Sequence, residues 1–181
     1  KQGNTWTTYT NTNSGLADNT VFNFSADSLG NLWFSTPAQG LGMFNGNAWF
    51  YRATLNSNIP TNAITYVLVE PKTNYKYIGT FDNGLVRWDN SMTFDSFTVV
   101  NSAMPDNHIT TIMQLNDSTL LIGTQENGLV VFTDPKLTAT PTGIAILTEN
   151  KIKARVYPNP TYNHISIYSE SGVRSIQITD V

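Results

Sequence analysis

Few residues in this 181-residue chain have the types and spacing that chemistry needs. The acidic pair worth weighing is Asp82 and Glu126, which hold near-equivalent places in two similar segments. Two carboxylates on neighbouring elements are the minimum for acid and base work on a glycosidic bond. Around them stand Gln39, Phe81, Asn83, Asp106, His108 and Gln125, with Asp18, Asn62 and Asn127 alongside. Amides and carboxylates flanked by aromatic rings suit a carbohydrate, through hydrogen bonds to hydroxyls and stacking on ring faces. The plainer reading makes them solvated turn residues, and it is preferred; no catalytic residue is assigned. His108, at the start of a strand, reads first as a hydrogen-bonded structural residue, and His164 has no catalytic neighbour. The absence of Cys excludes thiol nucleophiles, disulfides and thiolate metal sites, and two histidines cannot make a His-rich centre. The run Asp27-Ser28-Leu29-Gly30-Asn31 lacks the spaced carboxylates and bidentate Glu of a calcium loop, so it reads as a hairpin turn. Neither a metal nor a cofactor is expected.

The elements that position these residues must be strands. Charged residues are 13% of the chain, against roughly 25% in ordinary soluble domains. Asn (21) and Thr (25) fill the gap, and they favour turns and strands respectively. A net charge of −3 gives no electrostatic footprint for nucleic acid or an anionic membrane. No apolar run approaches the ~18 residues of a membrane span. The first residues, Lys1-Gln2-Gly3-Asn4, have no apolar signal region behind the charge, so an export signal is expected upstream or already removed.

A repeat orders the strands. Phe34-Ser35-Thr36, Ile78-Gly79-Thr80 and Ile122-Gly123-Thr124 fall 44 residues apart. Gly40-Leu41, Gly84-Leu85 and Gly128-Leu129 keep the same step, as do Phe44, Trp88 and Phe132. Asn19, Asn62 and Asn107 recur at 43 and 45, each just before an apolar run, and Trp6 and Trp49 are 43 apart. Each unit divides into strands A to D. Strand A is expected at 21–24, 64–69 and 109–115, with apolar stretches suited to burial on both faces. Strand B is expected at 32–35, 75–79 and 120–123, and strand C at 41–44, 85–88 and 129–132. Strand D is expected at 6–9, 49–51 and 97–100, with none in the last unit. The glycine between B and C suits a hairpin loop that needs the left-handed conformation. Trp33, Trp49 and Trp88 recur with the period, so they read as packing residues.

Four short strands per ~44-residue unit is the arithmetic of a β-propeller blade. The fold class is therefore all-β, a partial β-propeller of three blades with a four-stranded pattern. Three blades cannot close a ring of the usual four to eight, so the chain is expected to be the C-terminal part of a longer propeller. The repeat resembles the two-component-regulator propeller family. Residues 16–44 carry the likeness through Leu16, Asn19, Val21, Gly30, Asn31, Leu32, Trp33, Thr36, Gly40, Leu41 and Phe44. The second unit departs at Pro71-Lys72-Thr73-Asn74, and the third has Leu121 in place of the Trp.

After residue 132 the composition changes. Residues 133–150 are rich in Thr, Pro, Gly and Ala without periodicity, the look of a linker. Residues 151–181 follow with Tyr157-Pro158-Asn159-Pro160, the alternating run Ile165-Ser166-Ile167-Tyr168 and a further run ending at Asp180. Pro-Asn-Pro is a rigid turn between strands, and the whole reads as the beginning of a small β-sandwich. This segment resembles the C-terminal sorting domain of the Bacteroidetes type IX secretion system. Tyr157, Pro158, Asn159 and Pro160 match its motif, with Ile165, Ile167 and Asp180 at strand positions. The resemblance implies export through the periplasm and outer membrane, to the cell surface or the medium. Its expected partner is the secretion machinery, either the translocon or the outer-membrane shuttle barrel, engaged by residues 151–181.

Three readings of function compete. The favoured one is a secreted or surface-displayed binding module that takes a glycan or protein, without catalysis. The alternative is a polysaccharide lyase or hydrolase with active residues partly upstream of this chain. A sensor ectodomain fits the blades but not the tail, since a membrane span would stand where Tyr157-Pro158-Asn159-Pro160 does.

Overall fold

The structure is a computed structural model that describes residues 4–137, 155–158 and 165–168. The chain divides into two compact units, Lys1–Pro141 and Thr142–Val181. Among the described residues every regular element is a strand.

The first unit is a row of propeller blades. Blade 1 holds β1 (Phe24–Ala26), β2 (Leu32–Ser35), β3 (Leu41–Phe44) and β4 (Trp49–Arg52), antiparallel in that order. Blade 2 holds β5 (Ile64–Val69), β6 (Lys76–Thr80), β7 (Leu85–Trp88) and β8 (Asp95–Phe97). Blade 3 holds β9 (Ile109–Asn116), β10 (Thr119–Thr124) and β11 (Leu129–Thr133), and β11 has no outer neighbour among the described strands. In the second unit, β12 (Arg155–Pro158) pairs with β13 (Ile165–Tyr168), Val156 opposite Ile167. Asn159, Pro160 and Asp180, and residues 138–150, lie outside the described residues.

Side chains close the repeated loops. Between strands B and C, the Thr36 hydroxyl donates to Gly40 O at 2.8 Å and accepts from Gln39 N–H. Thr80 with Gly84 and Thr124 with Gly128 repeat this. The three glycines have φ of 83°, 69° and 74°, which only glycine adopts without cost. Between strands D and A, Asn13, Asn56 and Asn101 each accept from the N–H three residues back. Asn19, Asn62 and Asn107 each accept from the N–H eight residues back, at 2.8, 2.8 and 3.0 Å. Asn fits both places because its side chain mimics a peptide group. These latches use six of the 21 Asn and account for the recurrence of Asn19, Asn62 and Asn107 just before each A strand.

The blades join along their innermost strands. An inner strand has one ladder edge without a sheet partner, and its polar groups need others. Asn23 supplies them for β5: Val67 N–H donates to Asn23 Oδ1 at 2.9 Å, and Asn23 Nδ2 donates to Val67 O at 2.8 Å. Val69 N–H donates to Ser25 Oγ, and the Thr65 hydroxyl donates to Ile109 O in blade 3. All of these pairs are 44 residues apart.

The core lies between blades. Trp33, Leu41, Ile64, Val67, Ile78 and Trp88 fill the first interface. Leu85, Ile109, Ile112, Leu120, Ile122 and Leu137 fill the second, with Tyr77. Trp33 and Trp88 meet edge to face, centroids 5.6 Å apart. The Lys76 ammonium sits 4.6 Å from the Trp33 centroid and 5.5 Å from that of Trp88, and donates to Asn74 O, Asn74 Oδ1 and Asn90 Oδ1.

Several local expectations are corrected. No strand forms at 6–9, because a D strand needs a C strand beside it and none adjoins this segment among the described residues. The first A strand runs 24–26 rather than 21–24, since Asn23 turns toward Val67 and breaks the regular ladder. The D strand of blade 2 is 95–97 rather than 97–100, because Thr98 N–H is taken by the Asn101 latch. Burial on both faces belongs to β6 and β7, which have a blade on each side, and not to the A strands. The segment 133–150 begins with residues that continue the blade: Asp134 is 1% exposed and Leu137 is fully buried.

Candidate functional site

The B–C and D–A loops are tied together at one end of the blades. Gly40 N–H donates to Asn62 O and Gly84 N–H to Asn107 O, at 3.0 and 2.9 Å. Phe81 N–H donates to Ala63 O, and Gln125 N–H to His108 O. The B–C loops of blades 1 and 2 therefore rest on the start of the next blade, those of blades 2 and 3 also on the start of their own, and the residues singled out from the sequence fall on this loop face.

The structure brings most of them together around the junction of blades 2 and 3. The Phe81 and His108 rings pack with centroids 4.2 Å apart. Asp106 accepts from His108 N–H and Glu126 N–H, both at 2.9 Å, and from Asn127 Nδ2 at 3.4 Å. Those backbone donors, His108 first and Glu126 next, hold the Asp106 carboxyl below the usual carboxylate range. Asp82 accepts from Asn83 Nδ2 at 2.6 Å, and Asn83 N–H donates to Thr80 Oγ1. Glu126 enters the cluster through its backbone, and its side chain is exposed with that of Gln125. Gln39 stands apart on the blade 1 loop, exposed. Asp106 thus works as a loop brace, its lone pairs occupied by the turn it shapes.

One cleft on this face was not expected. Phe22, Pro37, Ala63, Ile64, Thr65 and Phe81 line a space of about 310 Å³ between blades 1 and 2. Phe22 is 55% and Phe81 57% exposed. Phe22 reads from sequence as part of a buried strand; the signal against that was Asn23, which interrupts an otherwise apolar Val21-Phe22-Asn23-Phe24. Half-exposed rings facing a cleft offer flat apolar surface, and Gln39, Asp82, Asn83 and Gln125 give nearby loops donors and acceptors. A second hollow, of about 270 Å³, lies among Glu70, Pro71, Lys72, Gln114 and Asp117. The Lys72–Asp117 ion pair and the Thr73 bonds to Glu70 consume its polar groups. Among the described residues no three His, Cys, Asp or Glu side chains gather as a metal would require.

Comparison with known proteins agrees on the repeat. The family model described as two component regulator propeller matches residues 15–38, the stretch with the most complete motif. A solved structure of PorZ from Porphyromonas gingivalis is similar, with a TM-score of 0.49 and 22% identity. It is described as an essential bacterial surface component of the type-IX secretion system. The alignment covers 78% of this chain and 20% of PorZ, so the chain spans about a fifth of that protein's length. No curated protein matches the chain.

Proposed function

We propose that this chain is a non-catalytic binding module that takes a carbohydrate on its loop face. We further propose that residues 151–181 are its address for type IX export, leaving it on the cell surface or in the medium. The observation that carries the binding reading is the pair of half-exposed rings, Phe22 and Phe81, on one cleft. Exposing two large rings side by side wastes the hydrophobic gain of burying them unless a ligand covers them. A sugar ring suits such a cleft, because its C–H face stacks on aromatics while its hydroxyls reach neighbouring amides. The acidic pair, Asp82 and Glu126, lends no support to catalysis: Asp82 is engaged with Asn83, and Glu126 joins the loop cluster through its backbone N–H, which donates to Asp106. The export reading rests on Tyr157-Pro158-Asn159-Pro160 following a Thr- and Pro-rich stretch.

Binding is tested by retardation of the full chain in gels containing a panel of neutral and acidic polysaccharides. At least one polysaccharide is expected to retard it, and Phe81→Ala to lose that retardation by tenfold or more. Retardation by none, or equal retardation of the variant, contradicts the assignment. Export is tested separately, by fusing residues 151–181 to a periplasmic reporter in a host with type IX secretion. The reporter is expected in the medium or on the surface, and expected to stay in the periplasm when Tyr157–Pro160 is deleted.

A further inference from the structure

The cleft that holds Phe22 and Phe81 has mostly apolar walls, which accept many ligands; the charge around its rim selects among them. The walls come from blades 1 and 2, and the His108 ring of blade 3 packs on Phe81. Carboxylates stand around this end of the cleft. Asp82 follows Phe81 directly. Asp106 accepts from the N–H of His108, the ring partner of Phe81, and from Glu126 N–H. Asp18 stands on the loop that leads into Phe22, where it accepts from Thr20 N–H.

No base offsets them. Among the described residues no Lys or Arg lies on a B–C or D–A loop. Lys72 pairs with Asp117 across the A–B turns, at the other end of the blades. Arg87 pairs with Asp95 and Asp134, and Lys136 with Asp95. Lys76 is buried and donates to Asn74 and Asn90. Arg52, which ends β4 beside a D–A loop, lies over the Trp88 ring. The charges are thus sorted: ion pairs at one end and between blades, and carboxylates without cations on the loop face.

Two of these carboxylates keep oxygens to offer. Asp82 accepts from Asn83 Nδ2 on Oδ1, and its Oδ2 has no donor among the described residues. The Glu126 carboxylate has none on either oxygen, and both side chains are exposed. Asp106 is fully engaged, but its donors are uncharged N–H groups, so it adds negative charge to the rim without a partner cation. A recess bordered by one sign of charge repels ligands of that sign and concentrates those of the other.

We propose, resting on the carbohydrate reading of this cleft, that its ligand is a cationic amino-sugar polymer, a chain of glucosamine-type units with free amines. A sugar ring stacks on Phe81, and the ammonium group at the edge of the same or the next ring reaches Asp82 or Glu126. The amine of such a ring is equatorial, so stacking turns it toward the rim and keeps it out of the apolar wall. An ammonium beside the face of an aromatic ring is itself attracted to it. Acidic polysaccharides meet the opposite balance and are turned away.

A hexamer of glucosamine and its fully N-acetylated counterpart share one backbone and differ in charge. Each is titrated calorimetrically into the full chain in mildly acidic buffer, where the free amines are protonated. The glucosamine hexamer is expected to bind at least tenfold more tightly. Raising salt from about 0.1 to 1 M shortens the screening length from ~10 to ~3 Å and should remove most of that advantage. Asp82→Asn with Glu126→Gln should bring the two hexamers within about twofold of each other. Asp89→Asn with Asp117→Asn removes as much charge away from the loop face and should leave the ratio unchanged. Phe81→Ala should weaken both hexamers tenfold or more. The rim positions are exposed, and circular dichroism checks that the variants fold. Equal binding of the two hexamers, or tighter binding of the acetylated one, overturns the amino-sugar assignment and leaves the carbohydrate reading standing. An advantage that the Asp89 and Asp117 variant loses as readily as the rim variant overturns it too, since net charge would then be its source. Binding of neither hexamer also overturns it, and the carbohydrate reading falls with it only if no polysaccharide in the gel panel retards the chain.

Discussion

At the scale of single residues, the interfaces between blades hold charge that only close partnership makes tolerable. Arg87, 9% exposed, reaches Asp134 through Nη1 and Asp95 through Nη2, and the Tyr77 hydroxyl also donates to Asp134. Burial pushes the Asp134 carboxyl up, but Arg87, the Lys136 N–H and Tyr77 outweigh it and hold it below the usual range. Arg87→Leu strands that carboxylate, so it should cost about 3–5 kcal/mol of unfolding free energy in a urea titration. Lys76 presents the opposite balance. Burial lowers its ammonium to about 8, with the Asp27 charge pulling the other way. Between pH 8 and about 9.5 the unfolded chain keeps a proton that the folded one has released, so stability should rise with pH there. Tyr77, pushed up by burial and by Asp134, reverses the trend only above its ordinary range, near pH 10. The urea midpoint of Lys76→Met should lose the rise. None of this was legible beforehand: Lys76 and Arg87 look like surface residues in sequence, and only the stacking of one blade on the next buries them.

At the scale of elements, the repeat told most, because it recurs for reasons of backbone geometry. The glycines at 40, 84 and 128 could be assigned to left-handed loop positions from spacing alone, and the structure has them there. What spacing could not show is that their surroundings differ. Gly84→Ala drives a Cβ into Phe97 O, whereas Gly128→Ala meets nothing within 4 Å. The second change should cost about 1–2 kcal/mol, from the left-handed backbone alone, and the first distinctly more in the same urea titration. Equal costs would mean that the β7–β8 pairing is not as described. The strand ends were legible only to a few residues. Asn23, Asn101 and their equivalents trade ladder bonds for side-chain ones, and a one-chain pattern of apolar residues does not register such trades. Asn23→Ala removes two bonds to Val67 across the first blade interface and should cost about 1–3 kcal/mol.

At the scale of the whole molecule, similarly built loops recur at one end of each described blade, and the proposed binding surface falls where neighbouring loops differ. Pro37, Phe81 and Gln125 occupy equivalent places in the B–C loops, so the aromatic surface is local to blade 2 and the blade 1 cleft beside it. That the loop face would gather Phe81, Asp106, His108, Gln125 and Glu126 was legible from topology, since B–C and D–A loops share an end. The cleft itself was not, because it depends on Phe22 leaving the strand. The most direct measurement of the central claim is residue-by-residue mapping of backbone amide shifts in the full chain, titrated with a polysaccharide fragment that retards it. The account predicts that shifts cluster at 22, 37–39, 63–65 and 81–83, fade through 106–108 and 125–127, and vanish in Phe81→Ala. Shifts centred instead on Glu70–Lys72 and Asn116–Asp117, or spread without a centre, would contradict it.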